Sequence, residues 1–404
     1  MTLSPERMVA EMRAGAMDEL TRNILPYWIR RMPDEKLGGF YGRIDGRDNV
    51  IADAPKGAIL NARILWSFSA AYITVKDPVY LEMAQRAYDY ICRHFLDGKY
   101  GGTYWCLTAD GEPLETKKQI YSIAFFIYAL SWYHRASGDS GALDRAVELF
   151  RLIEKHSFDS EFNGYFEAFS REWGELADLR LSEKDENEKK TMNTHLHILE
   201  AYTSLYRIWP DERLRKQLGN LVQIFTERIV DGVTGHLGLF FDERWNCRSS
   251  LVSYGHDIEA SWLLHEAASA LGEEEGVKGT VLRIAAAAHE GLADDGSLYY
   301  ERDDAKGLFD RDRHWWVQSE AVVGFLNAWE LSGDTSWLEL ASVAFDYIRS
   351  RLSDPVNGEW FWSIRADGSV NRDDDKAGFW KCPYHNSRMC LEILYRQQAF
   401  GNRQ

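Results

Sequence analysis

Three histidines, His197, His256 and His385, stand in helical stretches that are otherwise strongly apolar. Imidazole titrates near neutrality and can both accept and return a proton, so a set of imidazoles suits removal of a proton next to a carbonyl. The reaction would be C2 epimerisation of an aldose, or aldose–ketose isomerisation, through an enediolate. Imidazoles on opposite sides of C2 would allow inversion. His256 and Glu259 are spaced i, i+3 and can touch, and a carboxylate beside an imidazole fixes its tautomer and raises its basicity. His195 and His197 lie about 200° apart around a helix, so only one faces a shared site. His197 is favoured because it shares a face with Asn193 at i, i+4. Arg63, in the apolar string KGAILNARILW, needs an anion or a hydrogen-bonding partner. It reads as a donor fork for substrate oxygens that gain negative charge, or else as the ion-pair partner of a carboxylate such as Glu320.

Rival chemistries have less support. A metal at His256 and Glu259 lacks the accompanying HExxH, paired acidic ligands or Cys cluster. Glycoside cleavage usually needs two carboxyl groups flanking the bond, and Glu259 with Glu320 is the visible pair. No GxGxxG after a strand and no GxxxxGK[ST] occurs, so nucleotide chemistry has no motif. The formal net charge of −16 argues against nucleic acid or an anionic membrane as partner. The N-terminus lacks the apolar core of a secretory signal, and no stretch of about 18 uncharged apolar residues reads as a membrane span. Five scattered Cys without a CxxC pair read as reduced thiols in a cytoplasmic protein. Fifteen Trp, 20 Tyr and 19 Phe supply core and also flat platforms of the kind that stack on sugar rings.

The elements that must position these residues follow from an internal repeat. Short aromatic segments after a turn glycine recur at Gly39, Gly102, Gly164, Gly235, Gly296 and Gly358, with gaps of 63, 62, 71, 61 and 62 residues. Such a period marks a repeat architecture. An amphipathic helix precedes each glycine; in the second copy Leu81, Ala84, Tyr88, Ile91 and Phe95 share a face. A helix apolar nearly all round follows, as in IYSIAFFIYALSWY, and such a helix is buried on all sides. Six wet and six buried helices close into an all-α (α/α)6 barrel with short β-hairpins in the connections. It is expected to be a single catalytic domain over residues 1–404, with the charged run from Leu181 as an excursion over the mouth. Polar residues cluster near the N-terminal end of each buried helix: Asn61 and Arg63; Gln119 and Tyr121; Asn193, His195 and His197; Tyr254, His256 and Glu259; Arg313, Trp316, Gln318 and Glu320; Tyr384, His385, Asn386 and Arg388. With parallel inner helices, these ends meet at one mouth. His94, His134, His156, His236, His265 and His289 fall on outer helices, loops or far ends and read as solvated or structural.

Five strings, KGAILNARILW, KKTMNTHLHILEAYT, SYGHDIEASWL, RHWWVQSEAVVGF and FWKCPYHNSRMCLEIL, resemble the N-acylglucosamine 2-epimerase superfamily in matching order over nearly the whole chain. Within it they look most like the members acting on β-1,4-linked disaccharides. The resemblance implies an (α/α)6 barrel and a small-molecule substrate such as cellobiose, with lactose second, whose reducing-end glucose becomes mannose. It implies no cofactor and no metal. By the same analogy His256 and His385 are the acid/base pair at C2, His197 with Asn193 assists ring opening, and Arg63 and Tyr121 contact the reacting sugar's oxygens. Glu259 supports His256, Trp316 and Trp380 stack on sugar rings, and Glu320 joins the substrate-binding set. A monomer is expected. Relatives that epimerise N-acetylglucosamine or isomerise mannose, an (α/α)6 glycosidase, and a catalytically silent sugar-binding protein are the alternatives.

Overall fold

The computed structural model describes residues 4–396. Six inner helices follow one another around a ring: α3 (Ala58–Val75), α5 (Ile120–Ser137), α7 (Met192–Tyr206), α9 (Tyr254–Leu271), α11 (Trp315–Ser332) and α13 (Tyr384–Arg396). Each packs on the next, and α13 packs back on α3. The outer layer is α1 (Pro5–Asp18) running on into α2 (Leu25–Arg31), then α4 (Pro78–Tyr90), α6 (Ser140–His156), α8 (Glu212–Ile224), α10 (Glu274–His289) and α12 (Thr335–Tyr347). The (α/α)6 barrel expected from the repeat is the architecture found.

The sequence explains both layers. Residues 58–71 of α3 are buried without exception, which fits a stretch with no polar face. In α4, Tyr80, Ala84, Ala87 and Tyr88 are buried while Glu82, Gln85 and Asp89 are exposed. Outer helices start on aspartates whose side chains accept from first-turn amides, at Asp77, Asp139, Asp211 and Asp334. By length and hydropathy alone α3 is apolar enough to cross a membrane, but Arg63 within it means that it is not the uncharged stretch whose absence the sequence reading noted. The helix window is 78% buried in the protein, and it carries Arg63 inward.

All six repeat glycines have positive φ, between 62° and 92°, a region open to glycine at little cost. Ahead of several of them an aspartate organises the turn. Asp97 accepts from the amides of Lys99 and Tyr100 with one oxygen and from buried Lys118 with the other, at 2.8 Å. Asp159 does the same with Lys190 at 2.7 Å, and Asp34 with Lys56 at 3.0 Å. Each lysine lies just before an inner helix, so these buried pairs lock the start of that helix to the turn.

The strands differ from the expected hairpins. Most pair between successive repeats: Lys56–Gly57, ahead of α3, pairs with Cys106–Leu107 of the next repeat, and Lys190–Thr191, ahead of α7, pairs with Phe240–Phe241. The ring closes the same way, through a bridge between Ile44 and Ala377. This lacing holds the N-terminal ends of the inner helices side by side, where the polar residues stand.

Candidate active site

Residues more than 300 positions apart meet at this end of the barrel. His385, on the first turn of α13, is 6% exposed, and its Nδ1 lies 2.7 Å from Glu320 Oε1 on α11. When Glu320 is ionised it only accepts, and in that state Nδ1 carries the proton and Nε2 keeps its lone pair. Burial, and the charges of Arg63 and Arg388, push the His385 pKa well below the usual imidazole range, so the ring is neutral. His197 on α7 repeats the arrangement, with Nδ1 2.9 Å from Glu200 Oε2. His256 on α9 is half-buried, and its Nδ1 lies 2.8 Å from Ser253 Oγ. Burial, with His197 adding to it, brings the His256 pKa down to about 3.

Trp316 packs against both members of the expected acid/base pair, 4.8 Å from His256 and 5.6 Å from His385 between ring centroids. Gly255 leaves it the room, since a Cβ there would meet the Trp316 ring at 2.6 Å. Trp380 is half-buried, 6.1 Å from Tyr121 and 6.0 Å from Trp105. Tyr121 in turn stands edge-on to His197 at 5.0 Å. The imidazoles are therefore rimmed by aromatic faces.

Arg63 is 3% exposed and has no carboxylate partner among the described residues. Its Nη2 donates to the Tyr121 hydroxyl at 2.9 Å and its Nη1 lies 3.6 Å from Cys382 Sγ. The guanidinium rests on the rings of Phe125 and Tyr384, and Nε has no partner. Pairing with Glu320 is thus overturned. A buried cation without an anion is ready to meet an oxygen that becomes one.

The carboxylates are arranged differently from the expectation. Glu259 does not bond to His256. Its Oε1 accepts from Arg388 Nη2 at 2.5 Å, while Ser253 takes the place beside the imidazole. The i, i+3 spacing permits contact but does not aim the two side chains at each other. Burial, and repulsion from Glu320, raise Glu259 to about 7. Glu320 is not free for substrate either: Oε1 accepts from His385 and from Arg388 at 2.7 Å, and Oε2 accepts from Trp262 at 3.0 Å. Its contact to the imidazole set is through His385. Glu259, Glu320 and His385 place donor atoms within 4.8 Å of one another, as a cation site would. Arg388 Nη2 already bridges the two carboxylates, so this set does not fit a metal.

Several polar residues of the inner-helix ends serve local wiring. His195 is held by Thr191 O and accepts from the Tyr165 amide. Gln318 bonds the Leu298 backbone twice, Gln119 donates to Leu179 O, Asn61 to Gly57 O, and Asn386 to Glu359. Asn193 and His256 line a small cavity, about 50 Å³, with Leu181, Asp185, Glu186 and Glu188 of the charged run. That run lies beside the mouth. A larger cleft of about 680 Å³ opens at the opposite helix ends, among Arg207, Glu266, Glu392 and Arg396, away from the imidazoles.

Sequence reading missed Glu200, Ser253 and the role of Arg388. Glu200 was detectable, being three residues after His197 in an apolar helix. Ser253, one of many serines near a helix start, carried no signal.

Residues 39–388 match the family described as N-acylglucosamine 2-epimerase (GlcNAc 2-epimerase). The chain is 59% identical to the cellobiose 2-epimerase of Bacteroides fragilis, covering 93% of this chain and 97% of that protein. It is 42% identical to that of Ruminococcus albus, covering 96% and 99%. The structure of cellobiose 2-epimerase from Bacillus thermoamylovorans superposes with a TM-score of 0.92 at 42% identity, covering 97% of this chain and 100% of that one. The chain belongs to the N-acylglucosamine 2-epimerase family of carbohydrate epimerases.

Proposed function

We propose that the protein is a cellobiose 2-epimerase that interconverts the reducing-end glucose of a β-1,4-linked disaccharide with mannose. The observation that carries this is the pair of imidazoles, His256 and His385, packed on one tryptophan ring with each Nδ1 engaged behind it. Each presents Nε2 as the remaining proton acceptor or donor. The family membership and the 59% identity over nearly the whole chain support the same substrate class.

In the proposed sequence the sugar ring opens first, with His197 moving the proton between O1 and O5 and Asn193 assisting by hydrogen bonding. One imidazole then takes the C2 proton. The C2–H electron pair becomes the C1–C2 double bond, and the C1 carbonyl electrons move onto oxygen to give an enediolate. Arg63 and Tyr121 stabilise that oxygen charge. The other imidazole, which enters the step as the imidazolium, gives its Nε2 proton to the opposite face of C2 and becomes neutral, the C1 carbonyl reforms, and the ring closes. Trp316 and Trp380 stack on the two sugars, and the second platform favours a disaccharide. Lactose is the expected second substrate, and the enzyme is expected to act as a cytoplasmic monomer.

The glycosidase reading loses its carboxyl pair, because Arg388 Nη2 bridges Glu259 and Glu320. Incubation of chelator-treated protein with cellobiose in D2O, followed by NMR, tests the proposal. Glucosyl-mannose labelled with deuterium at C2 is the expected product. Unchanged cellobiose alongside turnover of N-acetylglucosamine or mannose would replace the substrate, and release of free glucose would overturn the enediolate route.

A further inference from the structure

Behind the imidazoles lies a charge arrangement that the reaction sequence does not use directly. Arg388 on α13 is 1% exposed. Its Nη1 donates to Glu200 Oε1 of α7 at 2.5 Å and to the Tyr384 hydroxyl. Its Nη2 donates to Glu259 Oε1 of α9 at 2.5 Å and to Glu320 Oε1 of α11 at 2.7 Å. The guanidinium also rests on the Trp262 and Tyr384 rings, at 4.7 and 4.2 Å. One side chain thus joins four inner helices. Two of its carboxylates continue to an imidazole, Glu200 to His197 and Glu320 to His385.

We propose that Arg388 is a positioning residue whose guanidinium fork keeps Glu200 and Glu320 ionised and aimed, and through them holds Nδ1 of both His197 and His385 toward a carboxylate with Nε2 facing away. The inference rests on the epimerase reading and adds the group that registers its acid–base set.

Burial alone drives a carboxyl to its neutral form. It raises Glu320 and Glu259 here, whereas Glu200 is brought to about 2 against burial, with Arg388 the leading counter-charge. A protonated Glu320 would offer an O–H to His385 Nδ1. The imidazole proton would then move to Nε2, and the base would be lost. The other titratable or charged groups around this centre are His197, Tyr128 of α5, Tyr384, His385 and Glu392 of the same helix, and Arg63 facing His385. Lysine cannot substitute, because one ammonium lacks the planar fork that spans several carboxylates.

The test compares wild type, Arg388→Gln and Arg388→Lys for cellobiose epimerisation across pH, with thermal melting to verify folding. Arg388→Gln is expected to lower kcat by about 100-fold or more with KM little changed, since two charge-assisted contacts lose their anchor. Its acidic limb moves up by about one pH unit or more, because the carboxylates then ionise only at higher pH. Arg388→Lys keeps the charge and recovers at most about a tenth of the activity. A folded Arg388→Gln protein with a wild-type limb and kcat overturns the inference. Side-chain 13C and 15N shifts in the wild type decide it without turnover: ionised Glu200 and Glu320 with Nδ1–H histidines at pH 7.5 are expected, and a protonated Glu320 or an Nε2–H His385 refutes it. Loss of the cellobiose reaction in wild type with these shifts intact would instead refute the substrate.

Discussion

Replacing Glu320 with glutamine isolates the carboxylate contact behind His385, the proposed base. The side chain is fully buried and its volume barely changes, so packing is preserved. What changes is charge: Oε1 receives the His385 Nδ1–H and Arg388 Nη2, both at 2.7 Å, and Oε2 receives Trp262 Nε1 at 3.0 Å. A hydrogen bond to a charged group is worth about 1.5–3 kcal/mol. Lost from the transition state, that is about 10- to 150-fold in kcat. The amide has one acceptor oxygen where the carboxylate has two, so Trp262 or the Arg388–His385 side must go without. Removing an anion beside an imidazole lowers its pKa further, so the acidic limb of kcat/KM moves down, opposite to the shift expected for Arg388→Gln. The assay is cellobiose epimerisation from pH 5 to 9 together with C2 deuterium exchange. A folded Glu320→Gln protein within twofold of wild type would show that His385 needs no carboxylate, and the assignment of its tautomer would fail.

Ser253→Ala should cost less, about 3- to 10-fold in kcat, because a neutral hydrogen bond contributes about 0.5–1.5 kcal/mol; a loss as large as that of Glu320→Gln would mean that Ser253 does more than orient His256. Lys190→Met leaves Asp159 buried without its cation, and breaking such a pair costs about 3–5 kcal/mol; urea denaturation should register that loss while the pH profile of turnover stays put. Acid should destabilise the fold early. His195 is held near 4 and His256 near 3, both by burial, so the unfolded chain binds more protons below its own imidazole pKa of about 6.5. Stability is therefore fully present above that pH and is lost as pH falls through it toward the folded values, by up to roughly 1.4 kcal/mol per pH unit for each histidine. Denaturation midpoints that are equal at pH 7 and pH 5 would contradict the neutral assignment of these two rings.

The barrel was legible because its signals repeat. One turn glycine means little, but six at nearly equal spacing, each before an apolar helix, define the ring, and all six take positive φ. The convergence of Arg63, Tyr121, His197, His256 and His385 followed from parallel helices alone. Pairings within the site were less legible. Glu259 reads as the partner of His256 from its spacing, yet it turns to Arg388, because a guanidinium with three carboxylates outcompetes a neutral ring. The i, i+3 rule governs reach along one helix, whereas Glu200, Glu259 and Glu320 are aimed by a side chain from a fourth. Nothing local in the string around Ser253 separates it from any other residue at a helix start.

The two imidazoles expected at C2 are backed unequally, and the inequality has a chemical meaning. His385 leans on a carboxylate, so when it takes a proton the new charge is stabilised at 2.7 Å. The same ring faces Arg63 and Arg388, which oppose that charge and keep it neutral beforehand. His256 leans on a hydroxyl, which can donate to Nδ1 or accept from it, so its tautomer can follow the reaction. Its imidazolium has no carboxylate bond and gives its proton up readily. One ring backed by a carboxylate and one backed by a hydroxyl make an asymmetric pair. Epimerisation runs both ways, so each ring must hold either role in turn. Ser253, able to donate or accept, lets the His256 tautomer follow that exchange.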